Sequence, residues 1–261
     1  HAREAQAHRD VLGNGQTVAG IAMPAGTVLR LDQPGQPGSF VQADFPQAVE
    51  VDGLKVLQIR RYVRPASANK PARETWTARL AADQAVQGWT CSRRLSVDLV
   101  VTQGKPHFED CGLAEGNKLD GEPLPMGTWL ARGQDKPRRW RLSIGGSEAA
   151  TIHHLPLLMA NAVVDERGQV VSFKGLLARQ TTLGDMTYPT GTRAATALNV
   201  PGAQPGDLLF SPPRGRAAHR KGHRDVDSGS SVLQAPGGAV RLVLDNRQAG
   251  VLDVANIRIG P

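Results

Sequence analysis

At 261 residues, with 40% hydrophobic and 21% charged side chains, the chain can bury a substantial core without disulfides or metals, and a mostly disordered protein is excluded. Its 29 glycines and 18 prolines recur between short apolar runs, which marks turns and excludes long helices. The formal net charge of +7 favours acidic partners such as phospholipid headgroups, lipopolysaccharide phosphates or nucleic acid, and no stretch reaches the ~20 apolar residues of a membrane-spanning helix.

Taken from the N-terminus, residues 1 to 9 admit a few helical turns. A start at His1 without methionine leads to the expectation of a preceding tag, signal peptide or anchor, and membrane attachment is expected only through such a segment. The first punctuated unit is Val18-Ala19-Gly20-Ile21-Ala22-Met23-Pro24-Ala25-Gly26-Thr27. Nearly the same text returns as Leu119-Asp120-Gly121-Glu122-Pro123-Leu124-Pro125-Met126-Gly127-Thr128 and as Leu183-Gly184-Asp185-Met186-Thr187-Tyr188-Pro189-Thr190-Gly191-Thr192. Pro24 and Pro125 are 101 residues apart and Pro125 and Pro189 are 64 apart, so a repeat of roughly 33 residues requires units between them. Val51-Asp52-Gly53 and Val86-Gln87-Gly88 fill two of those places.

Proline pre-sets the first corner of each turn, glycine supplies positive φ, and threonine opens the next strand with a β-branched residue. Alternating or continuous apolar runs such as Thr27-Leu29-Leu31, Val97-Leu99-Val101 and Val240-Leu242-Leu244 read as strands. Helical turns remain open at 155 to 163, and Pro65 to Thr75 and Gly133 to Arg139 read as surface loops. Units that cannot bury their own apolar face stack or close. The expected fold is therefore all-β, an irregular β-solenoid or β-roll of about 33-residue repeats, with a β-propeller as the alternative. Residues 1–200 are expected to form the repeat domain, and 201–261 a C-terminal extension packed on it and ending in a last, altered unit.

These units resemble an uncharacterised repeat family of Gram-negative bacteria with Val-x-Gly and Pro-x-Gly-Thr elements, loosely like MORN repeats. The resemblance covers residues 10 to 195 and departs where Asp185 stands at the unit glycine. It implies a periplasmic or cell-envelope setting and no activity.

Cys91 and Cys111, the only cysteines, are candidates for one disulfide, and two free core thiols fit the sequence equally well. A turn near Gly104-Lys105-Pro106 would bring their strands together. Trp76, Trp89, Trp129 and Trp140 fit either core packing or, if exposed together, a carbohydrate or lipid platform. Strand alternation would place one of His153 and His154 inward and the other outward.

The sharpest chemical feature is Arg214, Arg216, His219, Arg220, Lys221, His223 and Arg224, a basic run suited to polyanions through Arg forks and Lys point charges. The competing reading is a solvated, mobile loop. His219 and His223 with Asp225 and Asp227 have metal-ligand spacing, but the surrounding cations oppose a metal, so no metal or cofactor is expected. Gly229-Ser230-Ser231 lacks the strand-turn-helix context of a nucleophile elbow, and no catalytic residues are assigned. The expected function is a non-enzymatic envelope scaffold or binding protein that presents loops to another envelope protein or an acidic envelope component. The alternatives are a periplasmic lipid or lipopolysaccharide carrier, and nucleic-acid binding through 213–224, which the scarcity of nearby aromatics disfavours.

Overall fold

The computed structural model describes residues 2–133 and 136–251, so residues 134 and 135 of the expected 133 to 139 loop lie outside the described residues. The protein is all-β, 53% strand and 3% helix, with every described strand pairing antiparallel. The chain divides into two units, residues 1–117 with 126–134, and residues 118–125 with 135–261.

In the first unit the sheet strands run in chain order: Arg9–Val11, Val28–Leu31, Phe40–Val51, Leu54–Arg64, Arg73–Leu80, Val97–Thr102, Lys105–Gly112 and Trp129–Arg132. Register aligns Leu29, Ala43, Ile59, Ala78, Val97, Cys111 and Leu130 in one row across seven of them. All seven are buried, as period-two alternation demands of the face turned to the core. Two short hairpins, Gln16–Val18 with Ile21–Met23 and Gln84–Val86 with Trp89–Cys91, form separate two-stranded sheets, and Val18, Ile21, Met23, Val86 and Trp89 are buried. Cys91 and Cys111 are joined, with their Cα atoms 5.9 Å apart, so the bond ties the second of these hairpins to the main sheet.

The second unit is likewise antiparallel sheet with a smaller sheet attached. Its sheet runs Trp140–Ile144, Leu155–Val164, Val170–Leu177, Arg193–Thr196, Leu208–Ser211, Ser230–Gln234 and Val240–Asp245, with Ala150–Ile152 also on the second of these strands. A three-stranded sheet of Thr181–Leu183, Met186–Tyr188 and His219–Arg220 is fixed to it by Tyr188, whose ring stacks on Phe210 with centroids 4.3 Å apart. The Tyr188 hydroxyl donates to Gln234 Oε1, and the Gln234 amide donates to the carbonyls of Leu183 and Gly238, each at 2.9 Å. Gly184 and Gly238 meet backbone to backbone here: a Cβ on Gly184 would lie 2.4 Å from the Gly238 oxygen.

The repeated turns have one bonding scheme. Thr27, Thr128 and Thr192 are buried, and Thr27 and Thr192 donate their hydroxyls to the carbonyls of Pro24 and Pro189 at 2.8 and 2.7 Å. The backbones of Leu12, Leu113 and Leu177 bracket these turns, each donating to the threonine carbonyl and accepting from the preceding glycine. Proline is therefore the carbonyl acceptor at the first turn position, one residue earlier than the sequence suggests. A further copy, unmarked in sequence, is Gln204-Pro205-Gly206-Asp207. Asp207 takes the threonine place, fully buried, and Ala197 N–H donates to its carbonyl.

The hairpin turns at Ala19-Gly20, Asp52-Gly53, Gln87-Gly88, Gln103-Gly104 and Asp120-Gly121 place both residues at positive φ, the geometry that matches strand twist. Other local expectations change. The turn toward Cys111 is Gln103-Gly104 and not Gly104-Lys105-Pro106, because Thr102 pairs with Lys105. In the segment 183–192, Gly184 with Asp185 makes the turn, and only the glycine has positive φ. His153 and His154 form a tight turn with φ of 49° and 66° and are both exposed, since Ile152 pairs with Leu155 and leaves no strand position for either. Residues 155–164 are strand and not helix, while Ala2–Ala7 is helical.

Candidate anion-binding cleft

The basic run Arg214 to Arg224 is built into the second unit as ordered turns and a short strand. Pro213-Arg214-Gly215-Arg216 closes one turn, with Arg216 N–H donating to the Pro213 carbonyl. Ala218 bridges Val226, His219 and Arg220 pair with Thr187 and Met186, and Lys221 N–H donates to the Asp185 carbonyl. Arg214, Arg216, Lys221, His223 and Arg224 are exposed, and His219 Nδ1 sits 3.0 Å from Asp225 Oδ1. Among the described residues no group of three or more His, Cys, Asp or Glu side chains converges as a metal site. The tryptophans do not form a platform: Trp76, Trp89 and Trp140 are buried, and Trp129 alone is exposed.

A different set of cations surrounds a cavity of about 460 Å³ on the outer face of the second unit's sheet. This size lies in the range of small-ligand sites. Strand alternation explains its lining. In Trp140–Ile144, residues 140, 142 and 144 face the core, so Arg141 and Ser143 point outward. Register then carries the outer face across the sheet from Ser143 to Asn161, Lys174, Ala195, Leu209 and Leu233. That row is polar at one end and apolar at the other. Residues 197–203 and 244–251 cover the apolar end, where Val200, Leu209, Leu233 and Ala249 form a small core of their own.

The cleft opens at this boundary. Arg141, Lys174 and Arg193 supply three positive charges, Ser143, Asn161, Ser172 and Thr196 supply hydrogen-bonding groups, and Val163, Leu198, Val200 and Leu209 supply apolar surface. Among the described residues no Asp or Glu lines it. Ser143 donates to Asn161 Oδ1 at 3.0 Å, which leaves the Asn161 amide N–H groups as donors toward the cleft. Leu198 is 61% exposed, an unusual amount for a leucine beside a built cavity. Such a lining can hold an anionic head by charge and an acyl or aryl body by burial, with no nucleophile required.

None of the seven residues of the basic run lines this cleft. Sequence reading missed Arg141, Lys174 and Arg193 because they lie on three strands, 33 and 19 residues apart, and only register brings them together. The one sequence signal was a cation at an outward position of an alternating strand, a common pattern on solvated surfaces. Elsewhere, Asp98 and Asp110 stand directly opposite on paired strands of the first unit, and Thr77 donates to Asp98 at 2.9 Å. Burial, followed by the hydrogen bond to Asp98 and the charges of Asp98 and Glu109, pushes the Asp110 carboxyl up to about 8 from 3.8, with Arg73 opposing. Comparison with known protein families, with curated proteins and with solved structures finds no match to this chain.

Proposed function

We propose that this is a non-catalytic binding protein whose second unit takes an anionic amphiphile in the cleft of Arg141, Lys174 and Arg193. The observation that carries the reading is a cavity lined by three cations and, among the described residues, no carboxylate, beside the apolar surface of Leu198, Val200 and Leu209. Charge selects the head group and the apolar surface contributes burial of roughly 25 cal/mol per Å². In this reading the repeated turn-and-strand units are an irregular β-roll that serves as a rigid support, and the protein works in the periplasm or another oxidising envelope compartment. The Cys91–Cys111 bond supports that location, because such bonds persist where thiols are not kept reduced. The exposed basic run at 214 to 224 is a further surface for an acidic envelope partner.

The test is calorimetric titration of the full chain with dodecyl phosphate, with dodecyl maltoside as the neutral-headed comparison and inorganic phosphate as the tailless one. Dodecyl phosphate is expected to bind at least tenfold more tightly than either. Replacing Arg141, Lys174 and Arg193 together by Gln is expected to remove that preference. Leu198→Ser is expected to weaken the amphiphile and leave phosphate unchanged. Equal binding of the charged and neutral amphiphiles would overturn the proposal.

A further inference from the structure

A second set of cations lies on the first unit, arranged as a line instead of a cleft. Register sets Arg9 opposite Arg30, Arg30 opposite Gln42, and Gln42 opposite Arg60. Residues directly opposite in antiparallel strands point to the same face, so the three guanidinium groups leave the sheet along one row. Neighbouring strands are ~4.8 Å apart, which puts the Arg9 and Arg30 stems about 5 Å from each other and Arg60 about 10 Å beyond Arg30. All three are exposed, and none has a hydrogen-bond or ion-pair partner among the described residues.

Like charges directly opposite across two strands oppose folding. Arg61, their neighbour, shows how this sheet treats a structural arginine. Its guanidinium lies 4.5 Å from the Phe40 ring centroid, pairs with Glu74 at 2.8 Å, and donates to the carbonyls of Gly38 and Phe40. The row has no such partners. Beside it on the same face is Tyr62, 55% exposed. The carboxylates on this face include Asp44, Asp98, Asp110 and Glu109, the last paired with Arg73. The Asp44 oxygens accept from the amides of Gln42 and Gln58 at 2.8 and 2.5 Å, and Asp98 and Asp110 lie two and three strands past Arg60 in the same register.

We infer that Arg9, Arg30 and Arg60 form a second anion site, separate from the cleft, for a ligand carrying two or more closely spaced phosphates. One phosphate bridges the Arg9 and Arg30 guanidinium groups and the next is held by Arg60, with Tyr62 flanking the group that joins them. Arginine suits this role because its planar fork pairs with phosphate through two parallel hydrogen bonds. A single small anion can satisfy the Arg9–Arg30 pair but cannot also engage Arg60 at full strength.

The experiment is titration of the full chain with inorganic tripolyphosphate and with orthophosphate at low salt, together with thermal melting of each variant. Tripolyphosphate is expected to bind at least tenfold more tightly than orthophosphate. R30Q with R60Q is expected to lose that advantage, whereas the cleft variant R141Q/K174Q/R193Q keeps it, so failure here and failure of the cleft proposal are distinguishable. A control that removes equal charge elsewhere, K105Q/R167Q, is expected to stay within about twofold of the parent protein. Without ligand, R30Q is expected to melt higher than the parent, because it relieves the Arg9–Arg30 opposition, while tripolyphosphate no longer stabilises it. The inference is overturned by equal affinity for the two phosphates, by a control variant as weak as the row variant, or by an R30Q variant that melts lower without ligand.

Discussion

Asp207 shows how one residue changes the demands of a repeated turn. At the sibling turns a buried threonine returns its hydroxyl to a carbonyl of the turn. Asp207, fully buried in the equivalent place, accepts from Gln204 N–H at 2.8 Å and from Arg241 Nε at 2.7 Å. A buried carboxylate deprived of its cation is costly, so Arg241→Met is expected to destabilise by ~3 to 5 kcal/mol in urea titration. Combining it with Asp207→Thr, which restores the sibling side chain and removes the charge, is expected to recover most of that loss. Asp110 makes a prediction in pH. Its folded carboxyl titrates near 8 against an ordinary 3.8, so between these values the folded chain holds a proton that the unfolded chain has lost. Stability attributable to this group is therefore full below about pH 4 and declines as the pH rises to 8. Asp110→Asn is expected to flatten that decline, measured as unfolding free energy from pH 4 to pH 9.

At the scale of elements, the turns explain which parts of the fold were legible in the sequence. Pairs such as Asp52-Gly53 and Asp120-Gly121 need left-handed backbone, and their composition announces it. His153-His154 adopts the same conformation without glycine, so its sequence gave no signal and it read as strand interior. Gln204 to Asp207 stayed hidden for a related reason: the backbone bonds of the turn persist when the threonine is replaced. The candidate cleft was illegible because cross-strand register, which assembles Arg141, Lys174 and Arg193, depends on bulges such as those at Leu158/Asn161 and Val163/Val164. The Trp89–Cys91 strand is short, and its disulfide to Cys111 closes a separation of 20 residues. Replacing both cysteines with alanine is expected to cost about 3 kcal/mol in unfolding free energy, seen as a lower midpoint in denaturant.

At the scale of the whole molecule, charge is the property that both proposed sites share. The net charge of +7 draws anions to any part of the surface, but a specific site loses less affinity with salt than a diffuse one, because its apolar contacts are unaffected. Dodecyl phosphate binding is therefore expected to fall only modestly between 50 and 200 mM salt, roughly threefold or less, while tripolyphosphate binding falls more steeply, as charge pairing alone holds it. Titrations at three salt concentrations separate the two slopes.

Within each unit the strands of the main sheet follow the order of the chain, with only short strands of the smaller sheets intervening. Each new strand of the main sheet thus finds its partner close before it in the chain, whereas Met186–Tyr188 in the three-stranded sheet waits for His219–Arg220. A chain emerging from a ribosome or a secretion pore can zip up strand by strand from its leading end, which limits how long an unpaired apolar edge stays open to aggregation. The Cys91 thiol likewise waits until the strand bearing Cys111 arrives.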